Sequence, residues 1–232
     1  MFGGAGFRKY PASCSNGRTL STQSGASGCE RAGLAVPLDS RKTSLGQLHE
    51  LLLRAFAWNG ERLHLFHIHG RDYGVSQYGG IAFSEDARQV RLSRFRLHDG
   101  ERFRYEYDFT VGWVLDVRLE RACPWDAKRT LPVCTGGNRA APPDDCGGAM
   151  DYLERMDSHR RGVPIEDCVL MTNTMHRLLD SGGDRNAMGN LEELREAIDR
   201  VTAHQTFRPE RFDRREANHQ IQTLWQDRSV QP

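Results

Sequence analysis

The chain has 232 residues, 38% of them hydrophobic, and a formal net charge of +1 at pH 7; its mean hydropathy is −0.64. That suits one modest core with extensions, and no run approaches the roughly 18–20 apolar residues that span a bilayer. Near-neutral charge argues against strong nonspecific DNA binding, which rests on neutralising many phosphates.

Residues 1–33 are rich in Gly, Ser, Ala and Thr and poor in large apolar side chains. Such a segment buries too little surface to offset its ordering entropy, so a disordered tail is expected over 1–35. Met1 to Tyr10 has no apolar stretch of secretory-signal length, and the expectation is a cytoplasmic chain. Its six cysteines, at 14, 29, 123, 134, 146 and 168, include no Cys-x-x-Cys; free thiols are expected in that compartment. Arg outnumbers Lys 29 to 3. The arginines are scattered among acids, which reads as base-composition bias rather than a nucleic-acid footprint.

Ser44 with Gln47 forms an S-x-x-Q capping box. Leu45, Leu48, Leu52, Ala55 and Phe56 follow at helical spacing, and Trp58 with Asn59-Gly60 closes the helix. Arg62–His69 is strand-like, and a loop containing Gly70, Gly74, Gly79 and Gly80 comes next. Val90–Leu97 reads as a strand ending at Asp99-Gly100. In Phe103–Phe109, aromatics at 103, 105, 107 and 109 alternate with Arg104, Glu106 and Asp108; Trp113, Leu115, Val117 and Leu119 repeat the pattern. Period two with a short link at 110–112 predicts an antiparallel hairpin. Beyond Asp151 the chain reads as helical. One helix starts at Pro164, carries Ile165, Val169, Met175 and Leu178, and stops at Gly182-Gly183. Asn190 with Glu193 caps another, and Asp213 with Glu216 a last one. The expected class is α+β: an antiparallel sheet packed against an N-terminal helix. The core runs over 36–158, and 159–232 is a helical C-terminal part of the same domain.

Four clusters stand in a fixed order. The first is Leu48-His49, Trp58, Leu63-His64 and Phe66; the second is Tyr105-Glu106-Tyr107-Asp108-Phe109 with Trp113. The third is Pro142-Pro143-Asp144-Asp145-Cys146-Gly147-Gly148 followed by Tyr152. The fourth is Phe207-Arg208-Pro209-Glu210-Arg211-Phe212-Asp213, reaching Asn218. Together they resemble the plasmid pRiA4b ORF-3-like family, from about Val36 to Trp225, and the Pro-Pro-Asp-Asp-Cys-Gly-Gly segment is the most specific part. The resemblance implies an α+β fold and a plasmid or insertion-element setting, some members being labelled transposon passenger proteins or resolvase-like. It brings no established activity and no agreed catalytic residues. The chain departs from the pattern in three places. Arg31–Ala35 replaces a strand that usually ends in Trp-Arg-Arg, so that strand reads as lost. Thr110 to Leu115 lacks the acid and histidine of Gly-Asp-x-Trp-x-His. Ala141 stands where a Cys often precedes the acidic motif.

Pro142-Pro143 is a stiff, extended lead-in, and Gly147-Gly148 permits backbone angles closed to other residues. Asp144 and Asp145 are thereby held on a rigid turn, either as a site for a cation or a basic partner, or as a cap for the Tyr152 helix beside a solvated acid. Asp108 is a surface charge in cross-strand pairs or an acid in a cleft. Asp108, Asp144, Asp145 and His64 form the candidate polar site, and Asp116 could join them around a metal if the fold gathers the segments. Cys134 and Cys146, with His49, His64, His67 or His69, could in principle hold zinc, and His67-Ile68-His69 would put two imidazoles on one strand face. The close cysteine pairs typical of structural zinc are missing, so no cofactor is assigned. Tyr105, Tyr107, Trp58 and Trp113 could stack on a flat ligand but are explained equally by core packing. No phosphate loop, Gly-x-Ser-x-Gly elbow or His-Glu-x-x-His occurs. The expected role is a non-enzymatic accessory or interaction protein with a protein partner and no membrane. The alternatives are a metal-dependent hydrolase or nuclease-like enzyme using clustered Asp and His, and weak DNA binding in transposition, which the charge does not support.

Overall fold

In a computed structural model of the chain, residues 16–24, 31–37, 43–76, 81–120, 123–124 and 132–229 are described. They belong to two compact units: residues up to Ala149 with Glu210–Pro232, and Met150–Pro209.

Among the described residues the first unit holds nine strands: β1 (Asn16–Ser24), β2 (Arg31–Pro37), β3 (His64–Ile68), β4 (Arg71–Gly74), β5 (Glu85–Asp86), β6 (Arg102–Tyr107), β7 (Trp113–Leu119), β8 (Cys123–Pro124) and β9 (Val133–Gly137). They form one sheet in the order β5-β4-β3-β6-β7-β1-β2-β9, with β8 also paired to β1. Every pairing is antiparallel except β4 with β5. The fold is α+β, with helix α1 (Leu45–Phe56) packed on the sheet.

The expected hairpin is β6–β7, in the register Phe103 to Val117, Tyr105 to Leu115 and Tyr107 to Trp113. All six of those side chains are buried, so the alternating aromatics build one inner face. Helix α1 begins as its capping box predicts: the Ser44 hydroxyl accepts from the Gln47 amide, and the Gln47 side chain accepts from the Ser44 amide. It ends at Ala57, whose left-handed backbone (φ 55°) lets the Trp58 amide reach back to the Leu53 carbonyl.

Two strand assignments need correction. Part of the expected disordered tail is strand: β1 lies between β7 and β2, and β2 includes the residues read as a lost strand. Ladder hydrogen bonds come from the backbone, so two weakly apolar segments qualify once neighbours flank them. Leu20 and Thr22 are fully covered. The rest of that tail, with Cys14, Cys29, Gly79 and Gly80, lies outside the described residues. Val90–Leu97 is not a strand either but a short 3-10 helix over Leu92–Phe95. Val90, Leu92 and Leu97 are buried all the same: a lone bridge between Ser44 and Arg91 and the Leu92 amide bonded to the Thr43 carbonyl hold the segment against the α1 start.

Helix α5 (Arg214–Ser229) closes the sheet edge. The Asn218 side chain accepts from the Cys134 amide at 2.7 Å and donates to the Cys134 carbonyl at 3.0 Å, and Gln222 donates to the Pro132 carbonyl. One amide thus pairs with β9 as a neighbouring strand would. Phe212, just before α5, lies over Gly137, where a Cβ would meet the ring at 2.5 Å. Glu210–Pro232, with Phe212 and α5, thus belongs to the first unit.

The second unit contains α2 (Ala149–Arg161), α3 (Ile165–Asp180) and α4 (Leu191–Thr206). Asn190 caps α4 as expected, accepting from the Glu192 and Glu193 amides. Arg200 on α4 grips Asp167 on α3 through two hydrogen bonds of 2.9 and 2.7 Å. Ile165, Val169 and Met175 remain exposed. Among the described residues no helix is long and apolar enough to cross a membrane.

Candidate functional site

Positions 45, 48, 49 and 52 make one helical stripe, and all four are buried. Three are leucines and the fourth is His49, so α1 drives an imidazole into the layer between helix and sheet. Strand β3 supplies a second at its first residue. His49 and His64 stack face to face, ring centroids 3.4 Å apart and 10° from parallel. His49 Nδ1 shares a 2.9 Å hydrogen bond with the Tyr105 hydroxyl. His64 Nε2 is buried with no hydrogen-bond partner among the described residues. Burial, with His64 beside it, pushes the His49 pKa down to about 3; burial alone pushes His64 down to about 4. Both rings are therefore neutral at physiological pH. Burial likewise raises Tyr105 well above the usual phenol range, with Tyr107 and Glu50 adding to it.

The pair forms the floor of a cleft of about 580 Å³. The α1 start supplies one wall, with Ser44, Gly46 and Glu50; the loop before β3 supplies another, with Glu61 and Arg62. The helix start offers no free amides to an anion here. Leu45 N–H donates to the Val90 carbonyl, Gly46 N–H to Ala87, and Gln47 N–H to Ser44 Oγ.

Beside the cleft sits the acidic bend. Trp58 stacks on Tyr107 with centroids 4.7 Å apart, and its indole N–H donates to the Pro142 carbonyl at 3.0 Å. The Asn59 amide donates to Asp144 Oδ2, and the Gly60 amide to the Tyr107 hydroxyl. The bend closes on itself through the Cys146 amide and the Pro143 carbonyl. Gly148 supplies its special conformation (φ 107°), and a Cβ there would press on the Val111 carbonyl at 3.3 Å. Asp144 thus anchors the turn after α1 rather than capping α2. Burial raises its pKa, against the Asn59 hydrogen bond.

Asp108 differs from its strand reading. It follows the end of β6 with a left-handed backbone (φ 55°) and is buried. Its carboxylate accepts from the Thr110 amide and lies 3.6 Å from Arg62, and its carbonyl accepts from Val111 and Gly112. The acid that looked like part of the outer face builds the hairpin turn, because a short polar side chain can satisfy a turn amide two residues on. Asp108, Asp144 and Arg62 fall within electrostatic reach of one another. Asp145 is exposed on the bend.

The weak metal candidates are not gathered. His67 pairs with Asp72 and His69 with Glu101, each at 2.6 Å. His69 has left the strand for a turn (φ 50°), so the two imidazoles do not share a strand face. Cys134 and Cys146 are buried free thiols, directed at the Gly136 and Gly148 carbonyls; Cys168 is free and exposed. Among the described residues no three His, Cys, Asp or Glu side chains stand close enough to hold one metal ion. Sequence reasoning placed His64 in the site but passed over Glu50, Glu61 and the pairing of His49 with it. The available signal was a histidine on the buried stripe of an otherwise leucine-rich helix.

Comparison with known proteins gives a family and a fold. The model of the family described as plasmid pRiA4b ORF-3-like protein matches residues 36–162. "Uncharacterized protein y4hQ" of Sinorhizobium fredii is 27% identical over an alignment covering 73% of this chain and 84% of that protein. A crystal structure of a "protein of unknown function", MM3350 from Methanosarcina mazei Go1, superposes with a TM-score of 0.59 at 21% identity, covering 88% of this chain and 98% of the other. At that identity the likeness is one of fold.

Proposed function

Because the chain belongs to the plasmid pRiA4b ORF-3-like family, we propose that it is a non-enzymatic accessory domain of a mobile element. It works in the cytoplasm by binding a protein partner, and the cleft above His49 and His64 is where that partner engages. The observation that carries this reading is the cleft itself, about 580 Å³, lined by the stacked His49 and His64 together with Glu50, Glu61 and Arg62. Two features favour binding over catalysis. The stacked imidazoles are too weakly basic to hold a proton near pH 7, whereas a general base works best with a pKa near the operating pH. The Ser44 hydroxyl beside them serves the helix cap.

The test is affinity capture from a native host with wild type and Glu61→Lys, which reverses a charge on the exposed cleft rim. A protein held by wild type and released by the variant, at unchanged melting temperature, is the expected result; equal capture by both sinks the reading. A hydrolase reading has one observation in its favour, the proximity of Asp108 and Asp144 beside Arg62. It requires stoichiometric bound metal and nuclease activity, both lost in Asp144→Ala.

A further inference from the structure

Exposed apolar surface is concentrated in the second unit. Eight large apolar side chains are exposed among the described residues, and six of them lie on α3 and α4. On α3, Ile165, Val169, Met175 and Leu179 are 71%, 51%, 57% and 69% exposed. With Cys168, Thr172 and His176, also exposed, they recur at three- and four-residue spacing along one stripe of the helix. The opposite face is the one that packs: Asp167 and Thr174 are buried, and Arg200 of α4 holds Asp167. The exposed stripe contains no Asp, Glu, Lys or Arg. Beside its C-terminal end, a groove of about 540 Å³ continues the apolar surface through Leu178 to Leu191 and Ile198 of α4.

We propose that a second copy of the chain docks on this face, α3 against α3 in antiparallel sense about a twofold axis near Thr172. A twofold interface uses the same patch on both subunits, so the patch must match itself when turned end for end. This stripe does. Ile165 and Leu179 lie equally far from Thr172 on either side, as do Val169 and Met175, and Cys168 and His176. Reversal therefore sets large apolar side chains level with large apolar ones, and each helix N-terminus beside a C-terminus of opposite partial charge. The six exposed side chains amount to roughly 600 Å², the upper end of what a monomer leaves open. Two copies thus cover about 1,200 Å² of apolar surface, the size at which stable specific interfaces begin. A charged partner would find no counter-charge on the stripe and lose its hydration there, whereas a second copy brings no charge to bury.

The test is sedimentation of the full chain across a range of concentrations, where a dimer that dissociates on dilution is expected. Val169→Glu and Met175→Lys should each give a monomer with unchanged helical circular dichroism, because both side chains are exposed and neither fills a core. The double variant sets each new acid level with a new lysine of the second copy and should dimerise again; failure to do so overturns the twofold arrangement. Orientation is read by oxidation. In the antiparallel pair the two Cys168 residues are offset by about 12 Å along the helices, too far for a disulfide, so wild type should not cross-link through them. Thr172→Cys in a Cys168→Ser background should cross-link, with Cys168→Ser alone as the baseline for the other cysteines. A disulfide through Cys168 itself would mean parallel helices and overturn the proposal. So would a monomer at every concentration, or variants that dimerise like wild type. Co-sedimentation of a monomeric chain with phosphatidylcholine vesicles, lost in Val169→Glu, would give the face to a lipid surface and overturn it likewise.

Discussion

Two imidazoles stacked at 3.4 Å between helix and sheet cannot take up protons without losing hydration and repelling each other. In the unfolded chain both titrate near pH 6.5; in the folded protein they are held at about 3 and about 4. As the pH falls below 6.5 the unfolded state binds protons that the folded state refuses, so stability is full above about 6.5 and declines toward 4. The slope approaches about 2.7 kcal/mol per pH unit for two protons. Urea denaturation from pH 7.5 to 4.5 should show this decline, and a His49→Gln/His64→Gln double variant should show a shallower one. Equal slopes would mean that the pair is not buried as described. Tyr105→Phe removes the hydroxyl from His49 Nδ1 and leaves a buried ring nitrogen unpaired. It should cost about 1–3 kcal/mol, measured by the same denaturation at pH 7.5.

At the scale of elements, the start of α1 and the edge at β9 are where single side chains fix whole segments. Ser44→Ala removes the capping hydrogen bond to Gln47 and should lower stability by about 1 kcal/mol. Because Ser44 is bridged to Arg91, the 3-10 segment that follows Arg91 should exchange its amides faster. Gly137→Ala sets a methyl against the Phe212 ring, 2.5 Å away. The ring must move, and with it the entry to α5, whose Asn218 and Gln222 hold the edge strand. Overpacking of this kind costs about 1–3 kcal/mol. Hydrogen exchange should show lost protection at Cys134 specifically, a pattern that uniform destabilisation would not give.

For the molecule as a whole, the aromatic layer is what everything else stands on. Tyr107 is stacked by Trp58, paired in register with Trp113 and bonded to the Gly60 amide. Tyr107→Ala or Trp113→Ala should therefore cost about 3–5 kcal/mol and unfold the first unit; a folded variant defective only in binding would contradict this. The sequence by itself determined the elements whose information is local. The α1 cap, the β6–β7 hairpin and the caps of α4 and α5 each depend on residues a few positions apart, so spacing was enough. The tertiary structure alone decided the rest. β1 and β2 become strands because β7 and β9 lie beside them, and their own side chains say little. Asp108 turns from surface charge to turn anchor because the chain reverses there. His49, Glu50, Glu61 and His64 line one cleft because α1, the loop after it and β3 meet there, and no periodicity along the chain encodes which helix residue meets which strand residue.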